Sequence, residues 1–464
     1  AGDELEAGEL VVLEETWMGI DLIDARATTR AVTTRAATPQ PGTSVAADLL
    51  EGMPGVAVQR TGPGQGAPVV RGLIGSAVLV LVDGMRVNNA IFRPAHNQYT
   101  ALVDPWAIER VEVVRGPGST AFGSDALGGT INFVTPLPLF ASAAWTHRGH
   151  AALAVASGDR GVTARAASAI GRRDIGLALG VTWQRHGDLR AGGGELLTPS
   201  AYASLAVDAT GHVDRGRHAT TAWLQLVTQP ELPRTDELRP GFGMDEPAAA
   251  EWRYQPSRRG LVHLRHVVRR PFGRVRGAEV HLAWQRIDDG RRTRDLGSTA
   301  TLIEANRDDS VGATVRASGP VAGGELIAGA DAWLDRVTSA RTEDDGAPRA
   351  VAARFATGAR MHQAGLFAQL RRARGRLTVQ SGARVTAVGL DVPAADRGQG
   401  AAVTALDWAG DVGLTLDVGG GATLAGNLGR GFRVPNVHDL SSLGPRPGDR
   451  WQIPAPGLAA EHAT

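Results

Sequence analysis

The feature that most constrains the fold of this sequence is a repeated alternation of polar and apolar residues between Leu139 and Thr464. In the segment GAEVHLAWQ the apolar residues share one face and the polar residues the other, with Val280, Leu282 and Trp284 opposite Glu279, His281 and Gln285. The segments IGLALGVTWQR and RLTVQSGARVTAV alternate in the same way. Their lengths are close to the ~9–11 residues with which a tilted strand crosses a bilayer. The pattern predicts a mostly β fold, a transmembrane antiparallel β-barrel with a polar inner face.

The same alternation also fits a soluble β-sandwich or propeller, which would make the chain a β-rich adhesin or scaffold. Two features favour the membrane barrel: about a dozen predicted strands joined by loops of very unequal length, and tryptophans in or near them, where interfacial girdles place such residues. These tryptophans are Trp145, Trp183, Trp223, Trp284, Trp333 and Trp408. The chain also lacks an apolar run of the ~18 residues that a membrane helix requires, so any crossing of a membrane uses strands.

The composition excludes several classes of function. The 49 basic residues are all arginine and the net charge is +1, which argues against a nucleic-acid partner held on a basic face. Without lysine there is no P-loop or Schiff-base lysine, and no GxSxG, HExxH or paired-cysteine motif is present. The absence of cysteine excludes disulfides and thiolate metal sites. We therefore expect no catalytic residues, metal site or cofactor, and an envelope enzyme has no nucleophile–base pair to support it.

The chain divides into three parts by its texture. Residues 1–42 are expected to form a flexible leader, with six acidic residues and no basic one among the first fifteen. Residues 43–138 combine short strands with tight turns, and residues 139–464 carry the barrel pattern. Nothing resembles the charged and apolar regions of a secretory signal, so we expect that any signal was removed or lies outside this sequence.

The stretch IERVEVVRGPGSTAFGSDALGGTINFVT, residues 108–135, sets two alternating strands around a glycine-rich middle. Glycine permits backbone angles and close approaches that larger residues prevent. The stretch therefore predicts a compact loop bounded by strands.

Five motifs of the small domain occur in the order and spacing typical of one family: LLEGMPGV, VRG, VLVDG, IERVEVVRG and FGSDALGGTINFVT. In this succession residues 43–138 resemble the plug of TonB-dependent outer-membrane receptors. GFRVPN at residues 431–436 is similar to the GFRAPN-type box of the receptor barrel, and IPAPGL at residues 453–458 is loosely similar to the segment that follows that box.

The motifs carry the plug residues Arg71, Gly72, Asp83, Gly84, Glu109, Glu112, Arg115, Gly116, Gly123, Gly128 and Gly129. Four neighbouring charges are expected to pair with the polar inner face of the barrel, with solvation or ion pairs inside the plug as the alternative: Glu109, Arg110, Glu112 and Arg115.

The resemblance implies a barrel of the ~22-stranded type with the plug, a small α/β domain, in its lumen. It implies a multi-pass protein in the lipid of the outer membrane of a Gram-negative-type bacterium. Such a receptor binds a scarce extracellular iron chelate and imports it when TonB, part of the inner-membrane energy-coupling complex, pulls on the leader. A ferric siderophore is the default ligand, and haem and cobalamin are the alternatives.

The TonB contact is placed in the leader, on an apolar strand-former flanked by acids: Glu9, Leu10, Val11, Val12, Leu13 and Glu14. The segment GELVVLEETWMGI also fits a short helix. Ligand contacts are placed mainly at the plug apex, which we define as residues 88–99, and after the FRVPN sequence. The candidates are Arg60, Gln65, Arg93, His96, Asn97, Tyr99 and His438. Histidine and tyrosine ligate haem iron, although a solvated loop histidine is the simpler interpretation of His96.

The number of strands leads to a last expectation. Only about a dozen crossing strands fit after residue 138, against the ~22 of plugged transporters. The final segment AAEHAT does not resemble a closing strand with an aromatic end. An unpaired strand edge costs several kcal/mol per backbone group in lipid. We therefore expect a C-terminally truncated receptor, with a complete plug inside an open wall.

Overall fold

The computed structural model of the protein describes residues 32–37, 39, 42–95, 98–394, 400–446 and 450–464. These residues form a small domain before Pro138, which we call the plug, and a large antiparallel sheet after it, which we call the wall. The helices in this part of the chain are all too short to cross a membrane. The mostly β architecture expected from the alternation is confirmed.

Within the described residues, the plug contains eight strands and several single helical turns. The strands are β1 (Val32–Ala36), β2 (Val56–Gln59), β3 (Ala67–Val70), β4 (Leu73–Ile74), β5 (Val78–Val82), β6 (Met85–Arg86), β7 (Arg110–Arg115) and β8 (Gly129–Val134). Helix α1 spans Ser119–Phe122, and 3-10 turns span Ala46–Leu50, Gly75–Ala77, Tyr99–Leu102 and Pro105–Ala107. One sheet has the order β1-β7-β8-β5-β6, with β5 parallel to β8, and a second joins β2, β3 and β4.

The position of strand β1 differs from the expected domain boundary, because residues 32–36 precede residue 43, where the plug was expected to begin. It pairs antiparallel with β7, so that Val32 faces Val114 and Ala36 faces Arg110. The backbone groups along this edge of β7 find partners in β1, which is why an extended segment is held there. Residues 32–36 therefore lie in the plug sheet, although the residue pattern of the sequence predicts that they belong to the leader.

The centre of the plug is a buried pair of strands. Every residue of β5 and β8 is buried, as expected for parallel strands covered on both faces. The side chains on one face of the pair share one apolar cluster with the wall residues Ala206, Val227 and Ile287. The members from β5 and β8 are Val78, Val80, Val82, Ile131 and Phe133. The core of the plug therefore continues into the inner face of the wall.

The strands that follow the plug are long, with shorter ones in the connections. They are β9 (Thr146–Ala156), β10 (Gly161–Arg172), β11 (Ile175–His186), β12 (Leu189–Arg190), β13 (Leu196–Leu197), β14 (Tyr202–Asp214), β15 (His218–Gln229), β16 (Leu232–Pro233), β17 (Ala249–Arg269), β18 (Gly277–Asp295), β19 (Thr301–Val321), β20 (Gly324–Asp344), β21 (Arg349–Val351), β22 (Arg360–Arg374), β23 (Leu377–Val392), β24 (Ala401–Gly419), β25 (Ala422–Arg433), β26 (Gly444–Arg446), β27 (Arg450–Gln452) and β28 (Glu461–Ala463). Helices α2 (Thr235–Leu238) and α3 (Val437–Ser441) and a 3-10 turn (Gly192–Gly194) lie between them.

Neighbours in the wall follow the order of the chain. The path is β9-β10-β11-β14-β15-β17-β18-β19-β20-β22-β23-β24-β25-β28, and β16 and β21 attach to β17 and β20. Within the residues that the structure describes, β9 and β28 are the two ends of this path, which does not close. The expected open wall is confirmed for this part of the chain.

The predicted alternation is present on the two faces of the wall. In β11 the polar residues Thr182 and Gln184 are buried against the interior, while Leu179 and Val181 are exposed on the outer face. The same holds for β18, where His281 is buried and Leu282 is exposed. The inner face is therefore polar and the outer face apolar, as a strand between lipid and lumen requires.

Two tryptophans correct the expectation of an interfacial girdle. Trp223 and Trp333 are on the inner face, only 4% and 8% exposed. Trp223 stacks on the ring of His263 with centroids 4.5 Å apart, and Trp333 covers the bare backbone of Gly312. Their place in the alternation, and not the residue type, decides which face they take. The other four tryptophans are exposed.

The two edges of the wall differ in their connections. Short turns join strands at one edge, at residues 173–174, 322–323, 375–376 and 420–421. Long connections occupy the other edge, at residues 187–201, 230–248, 345–359 and 434–460. We call these the short-turn edge and the long-loop edge. In outer-membrane barrels short turns face the periplasm and long loops face the exterior.

Candidate functional site

The plug apex is bound to the part of the wall nearest the long-loop edge. Arg93 is buried and donates from Nη2 to Asp289 Oδ2 at 2.9 Å and from Nη1 to the Tyr254 hydroxyl at 2.7 Å. The Tyr99 hydroxyl lies 3.1 Å from the Ile91 carbonyl oxygen and 3.3 Å from the same Asp289 oxygen. Two predicted ligand residues therefore meet at one carboxylate, in the interior and not at the surface.

Asp289 belongs to a larger set of buried charges. It also accepts from Arg291 Nη2 at 2.6 Å. Glu304, opposite Arg291 in the register, accepts from Arg341 at 2.8 Å and from Arg354 at 2.7 Å. Buried carboxylates remain charged only with such partners. We call these residues the apex charge cluster, which consists of the carboxylates Asp289 and Glu304 and the guanidinium groups of Arg93, Arg291, Arg341 and Arg354.

The GFRVPN segment contacts the plug directly. The Ser119 hydroxyl lies 3.3 Å from the carbonyl oxygen of Phe432, and the amide of Val434 donates to the Ser124 hydroxyl at 3.1 Å. Asn436 donates from its side chain to the carbonyl oxygen of Phe92 at 2.7 Å. The segment thereby fixes both α1 and the apex of the plug.

His438 lies on α3, immediately after this segment. Asn436 caps the helix by accepting from the amide of Asp439 at 3.1 Å. The amide of His438 donates to the carbonyl oxygen of Ala90, and its buried ring lies 5.8 Å from the ring of Phe355. The structure thus brings His438 to the apex, within an apolar cluster.

The remaining ligand candidates lie elsewhere or outside the described residues. Arg60 pairs with Asp48 at 2.5 Å and with Glu51 at 2.7 Å, both in the plug. Gln65 is buried and donates to the carbonyl oxygen of Pro233 at 3.2 Å. His96 and Asn97, and the predicted TonB contact at residues 9–14, lie outside the described residues.

The motif charges pair mainly within the plug. Glu112 accepts from Arg110 at 2.9 Å and from Asn132 at 2.9 Å, and Arg110 also lies 3.5 Å from Glu109. Arg115 donates to the carbonyl oxygen of Pro54 at 2.7 Å. These contacts support the alternative, that the charges pair inside the plug, and not the expectation that they pair with the inner face of the barrel. Strand β7, which carries Arg110, Glu112 and Arg115, lies between β1 and β8 and so presents these side chains to its neighbours in the plug.

The motif glycines allow close packing in the plug. A Cβ on Gly129 would lie 2.4 Å from the carbonyl oxygen of Val114, and one on Gly128 would lie 2.8 Å from the carbonyl oxygen of Val70. Of the other motif positions, six have a positive φ: Arg71, Gly72, Asp83, Gly84, Gly116 and Gly123. The glycine-rich stretch is therefore a tightly packed turn, as predicted.

The hairpin of β5 and β6 is held by a chain of hydrogen bonds that sequence reasoning missed. Asp83 accepts from Gln225 Nε2 at 3.1 Å, and Gln225 accepts from Arg259 at 3.2 Å. Arg259 also donates to Gln285 at 2.8 Å, and Gln285 donates to the carbonyl oxygen of Arg86 at 3.1 Å. We call this chain the hairpin clamp. The polar inner face was predictable, but its partners in the plug depend on the tertiary fold.

Asp83 has an unusual titration. It accepts from the amide and the hydroxyl of Thr135 at 2.8 and 2.9 Å. These bonds and the charge of Arg259 favour the ionised carboxylate. Burial has the larger effect and raises the pKa of Asp83 to about 6.

Two histidines also lie close together on the inner face, although no metal-binding motif was predicted there. His263 and His281 lie 3.1 Å apart between ring nitrogens, beside the stacked Trp223. Within the described residues, no group of three or more histidines and carboxylates is arranged to hold a metal ion.

Comparison with known proteins gives the following likenesses. Residues 22–130 match the family model described as the TonB-dependent receptor plug domain, and residues 269–464 match that of the TonB-dependent receptor-like β-barrel. The vitamin B12 transporter BtuB of Vibrio vulnificus (strain YJ016) is 41% identical over 106 residues, which are 22% of this chain and 17% of that protein. An iron-regulated outer membrane virulence protein of Vibrio cholerae (strain O395) is 43% identical over 94 residues, 19% of this chain and 14% of that protein.

Among solved structures, the copper transporter OprC superposes with a TM-score of 0.75 at 19% identity. The likeness covers 88% of this chain and 64% of the transporter. At this identity it shows the fold, and the chain spans less than two thirds of the length of that transporter.

Proposed function

The chain belongs to the family of TonB-dependent receptors, and on that premise we propose that it takes up a scarce ferric siderophore across the outer membrane by energy-coupled transport. The proposed partners are the extracellular iron chelate, the lipid of the outer membrane, and TonB at the leader.

The observation that carries the proposal is the attachment of the plug apex to the wall. The apex charge cluster and the GFRVPN segment both hold the apex near the long-loop edge. A bulky ligand bound outside therefore passes only if the plug moves. Breaking a buried ion pair by removing one partner costs about 3–5 kcal/mol. The porous outer membrane holds neither ATP nor an ion gradient, so this work has to come from a mechanical partner.

The charge at the apex supports an anionic ligand. Four guanidinium groups face two carboxylates in the apex charge cluster. Guanidinium groups bind carboxylates and similar oxygen anions in a planar, bidentate geometry. An anionic iron chelate complements this excess of positive charge. In addition, the Vibrio cholerae relative is named as iron-regulated.

Cobalamin is the second candidate because the Vibrio vulnificus relative at 41% identity is named as a vitamin B12 transporter. Haem is the third, since Tyr99 and His438 both lie at the apex. A growth-rescue and binding screen with ferric siderophores, haem and cobalamin separates the three. Rescue by a ferric siderophore supports the proposal, and rescue by cobalamin or haem alone overturns it.

The site is tested on the purified receptor. Substituting Arg93, His96 and Tyr99 together should weaken binding of the rescuing ligand while the wall stays folded. Arg286→Ala is the matched control, because Arg286 pairs with Asp309 at 2.7 Å away from the inner face. Unchanged affinity in the triple variant would place the ligand elsewhere.

The role of the leader is tested by deleting residues 1–15. Uptake should be lost and surface binding kept, because the deleted segment precedes the plug and the wall. Uptake at the full rate would place the TonB contact elsewhere.

A separate test distinguishes the membrane barrel from the soluble adhesin. Release of the protein from membranes by carbonate without detergent would favour the adhesin.

A further inference from the structure

Two carboxyl groups of the wall meet at one hydroxyl on its inner face. Asp308 and Ser310 belong to β19, and Asp335 lies opposite Ser310 on β20. The Ser310 hydroxyl lies 2.7 Å from Asp308 Oδ2 and also contacts Asp335 Oδ1. All three residues are buried, and Asp308 is only 1% exposed. The two carboxyl groups therefore lie close together in a place shielded from solvent.

These contacts require one proton more than the hydroxyl supplies. A hydroxyl has one hydrogen to donate, and an ionised carboxylate only accepts. If Ser310 donates to one carboxylate, its contact with the other needs a proton on that second carboxyl group. In the described part of the chain, Asp308 Oδ1 has no hydrogen-bond partner. A proton held between Asp308 and Asp335 supplies the missing donor and removes the repulsion between two buried anions.

The plug covers this part of the inner face. Asp335 lies between Trp333 and Val337 on the same face of β20. Trp333 shares an apolar cluster with Met85 of the plug hairpin. Val337 shares another with Ile91 of the plug apex. Plug side chains therefore flank the carboxyl groups on both sides along the strand, and movement of the plug exposes these groups to water.

The surrounding charges do not replace the proton. Arg86 and Asp125 are the plug charges that act on Asp335, and they pair with each other at 2.7 Å, so that together they add no net charge. Asp309 and Arg336, the adjacent charged residues of β19 and β20, face outward. The residues of β18 and β22 opposite the two acids and the serine are uncharged: Ile287, Gln285 and Met361.

We propose that Asp308 and Asp335 form a proton-binding site that is filled while the plug is in place and emptied when the plug moves away. Water then solvates both carboxylates as anions, and the shared proton leaves to the solvent. Return of the plug takes one proton up again. Opening of the plug therefore becomes easier as the pH rises. The inference goes beyond the uptake proposed above and holds whichever ligand is carried.

Hydrogen exchange of the plug amides from Met85 to Ile91, measured on the whole receptor, tests the linkage. The closed state holds one proton more than the opened state, so the equilibrium constant for opening should rise by up to about tenfold per pH unit. Asp308→Asn replaces the shared proton with an amide that donates. We expect the ratio of the opening constants, wild type over Asp308→Asn, to rise between pH 5 and 7. Asp83 titrates in both proteins and cancels from this ratio.

Asp309→Asn is the matched control. Asp309 is the next residue along β19 but faces outward, where it pairs with Arg286 at 2.7 Å. The ratio of wild type to this variant should not depend on pH. Asp335→Asn should behave as Asp308→Asn does, because either amide removes the shared proton. A ratio that stays constant with pH in both inner-face variants overturns the proposal.

Infrared spectroscopy in D2O at pH 7 gives a second readout. The carbonyl stretch of a protonated carboxyl group should be stronger in wild type and Asp309→Asn than in Asp308→Asn. Equal bands in the three proteins would show that the site holds no proton. An opening constant that changes when sodium chloride replaces choline chloride at fixed pH would show that a metal cation fills the site, and this also overturns the proposal.

Discussion

Asp83 of the plug and Arg259 of the wall are joined by one amide, because Gln225 donates to the first at 3.1 Å and accepts from the second at 3.2 Å. Arg259 is almost fully buried, and both of its hydrogen-bond acceptors are amide oxygens. The carboxylate that balances its charge is therefore Asp83, one side chain away. The burial of this arginine depends on a residue of the plug, which ties the stability of the hairpin to that of the wall.

Removing the shared amide should loosen the plug hairpin. Gln225→Ala breaks both bonds at once and leaves a buried guanidinium and a buried carboxylate with fewer partners. Such losses cost about 1–3 kcal/mol each. We expect faster hydrogen exchange of the backbone amides from Leu81 to Arg86, measured by mass spectrometry.

Gln369→Ala is the control for this variant. Gln369 is also a buried glutamine of the wall, but among the described residues its side-chain amide has no hydrogen-bond partner. Equal exchange in the two variants would show that the hairpin clamp contributes nothing.

The titration of Asp83 predicts a pH dependence of the plug. Its pKa is raised from 3.8 to about 6 by burial, so between these values the folded state holds a proton that the unfolded state has released. The contribution of Asp83 to the free energy of unfolding is present in full below pH 4 and is lost as the pH rises through 6. The shift corresponds to at most about 3 kcal/mol.

Asp83→Asn tests this dependence because it removes the titrating proton. The difference between the unfolding free energies of wild type and variant should change between pH 4 and 6 and be constant from pH 7 to 8. Hydrogen exchange of β5 and β8 measures this difference. A difference that does not depend on pH contradicts the assignment.

The sequence predicted the faces of the strands better than the partners of single residues. The alternation placed His281 and Gln285 inside and Leu282 outside because the side-chain period of a strand is fixed. Trp223 was assigned wrongly because the residue type was given more weight than its position. The pairing of Arg93 with Asp289 joins residues 196 positions apart, and no local pattern specifies such a contact. The apex was predictable from its place between the motifs VLVDG and IERVEVVRG, whereas its bonding to the wall was not.

The motif glycines should differ in their tolerance of a methyl group. Gly129→Ala would place Cβ at 2.4 Å from the Val114 carbonyl oxygen and 2.8 Å from Val70 Cγ1. Because β7 and β8 are paired at this position, neither strand can withdraw. We expect a loss of at least about 2 kcal/mol from overpacking, seen as rapid proteolysis of the plug.

Gly72→Ala is the comparison for Gly129→Ala. Gly72 has a φ of +81° and open space around its Cα, so alanine pays only the left-handed backbone cost of about 1–2 kcal/mol. If the plug of Gly72→Ala is digested faster than that of Gly129→Ala, the packing argument is wrong.

The ion pair at the apex should dominate the local stability of the plug. Asp289 is the carboxylate at which Arg93 and Arg291 meet, and all three side chains are buried. Asp289→Ala leaves two buried cations without it and should cost about 3–5 kcal/mol. Arg93→Ala should cost less free energy, because Arg291 Nη2 still donates to Asp289 Oδ2 at 2.6 Å and neutralises the carboxylate. The double variant should recover part of the loss. Hydrogen exchange of the described apex amides, residues 88–95 and 98–99, gives the free energies of local opening for the three variants.

The control is the exposed pair of Arg286 and Asp309. Analysed by the same double-mutant cycle, it should give a coupling energy below about 1 kcal/mol. Additive effects of Asp289→Ala and Arg93→Ala would mean that the pair does not hold the apex, and the work required to move the plug would then arise elsewhere.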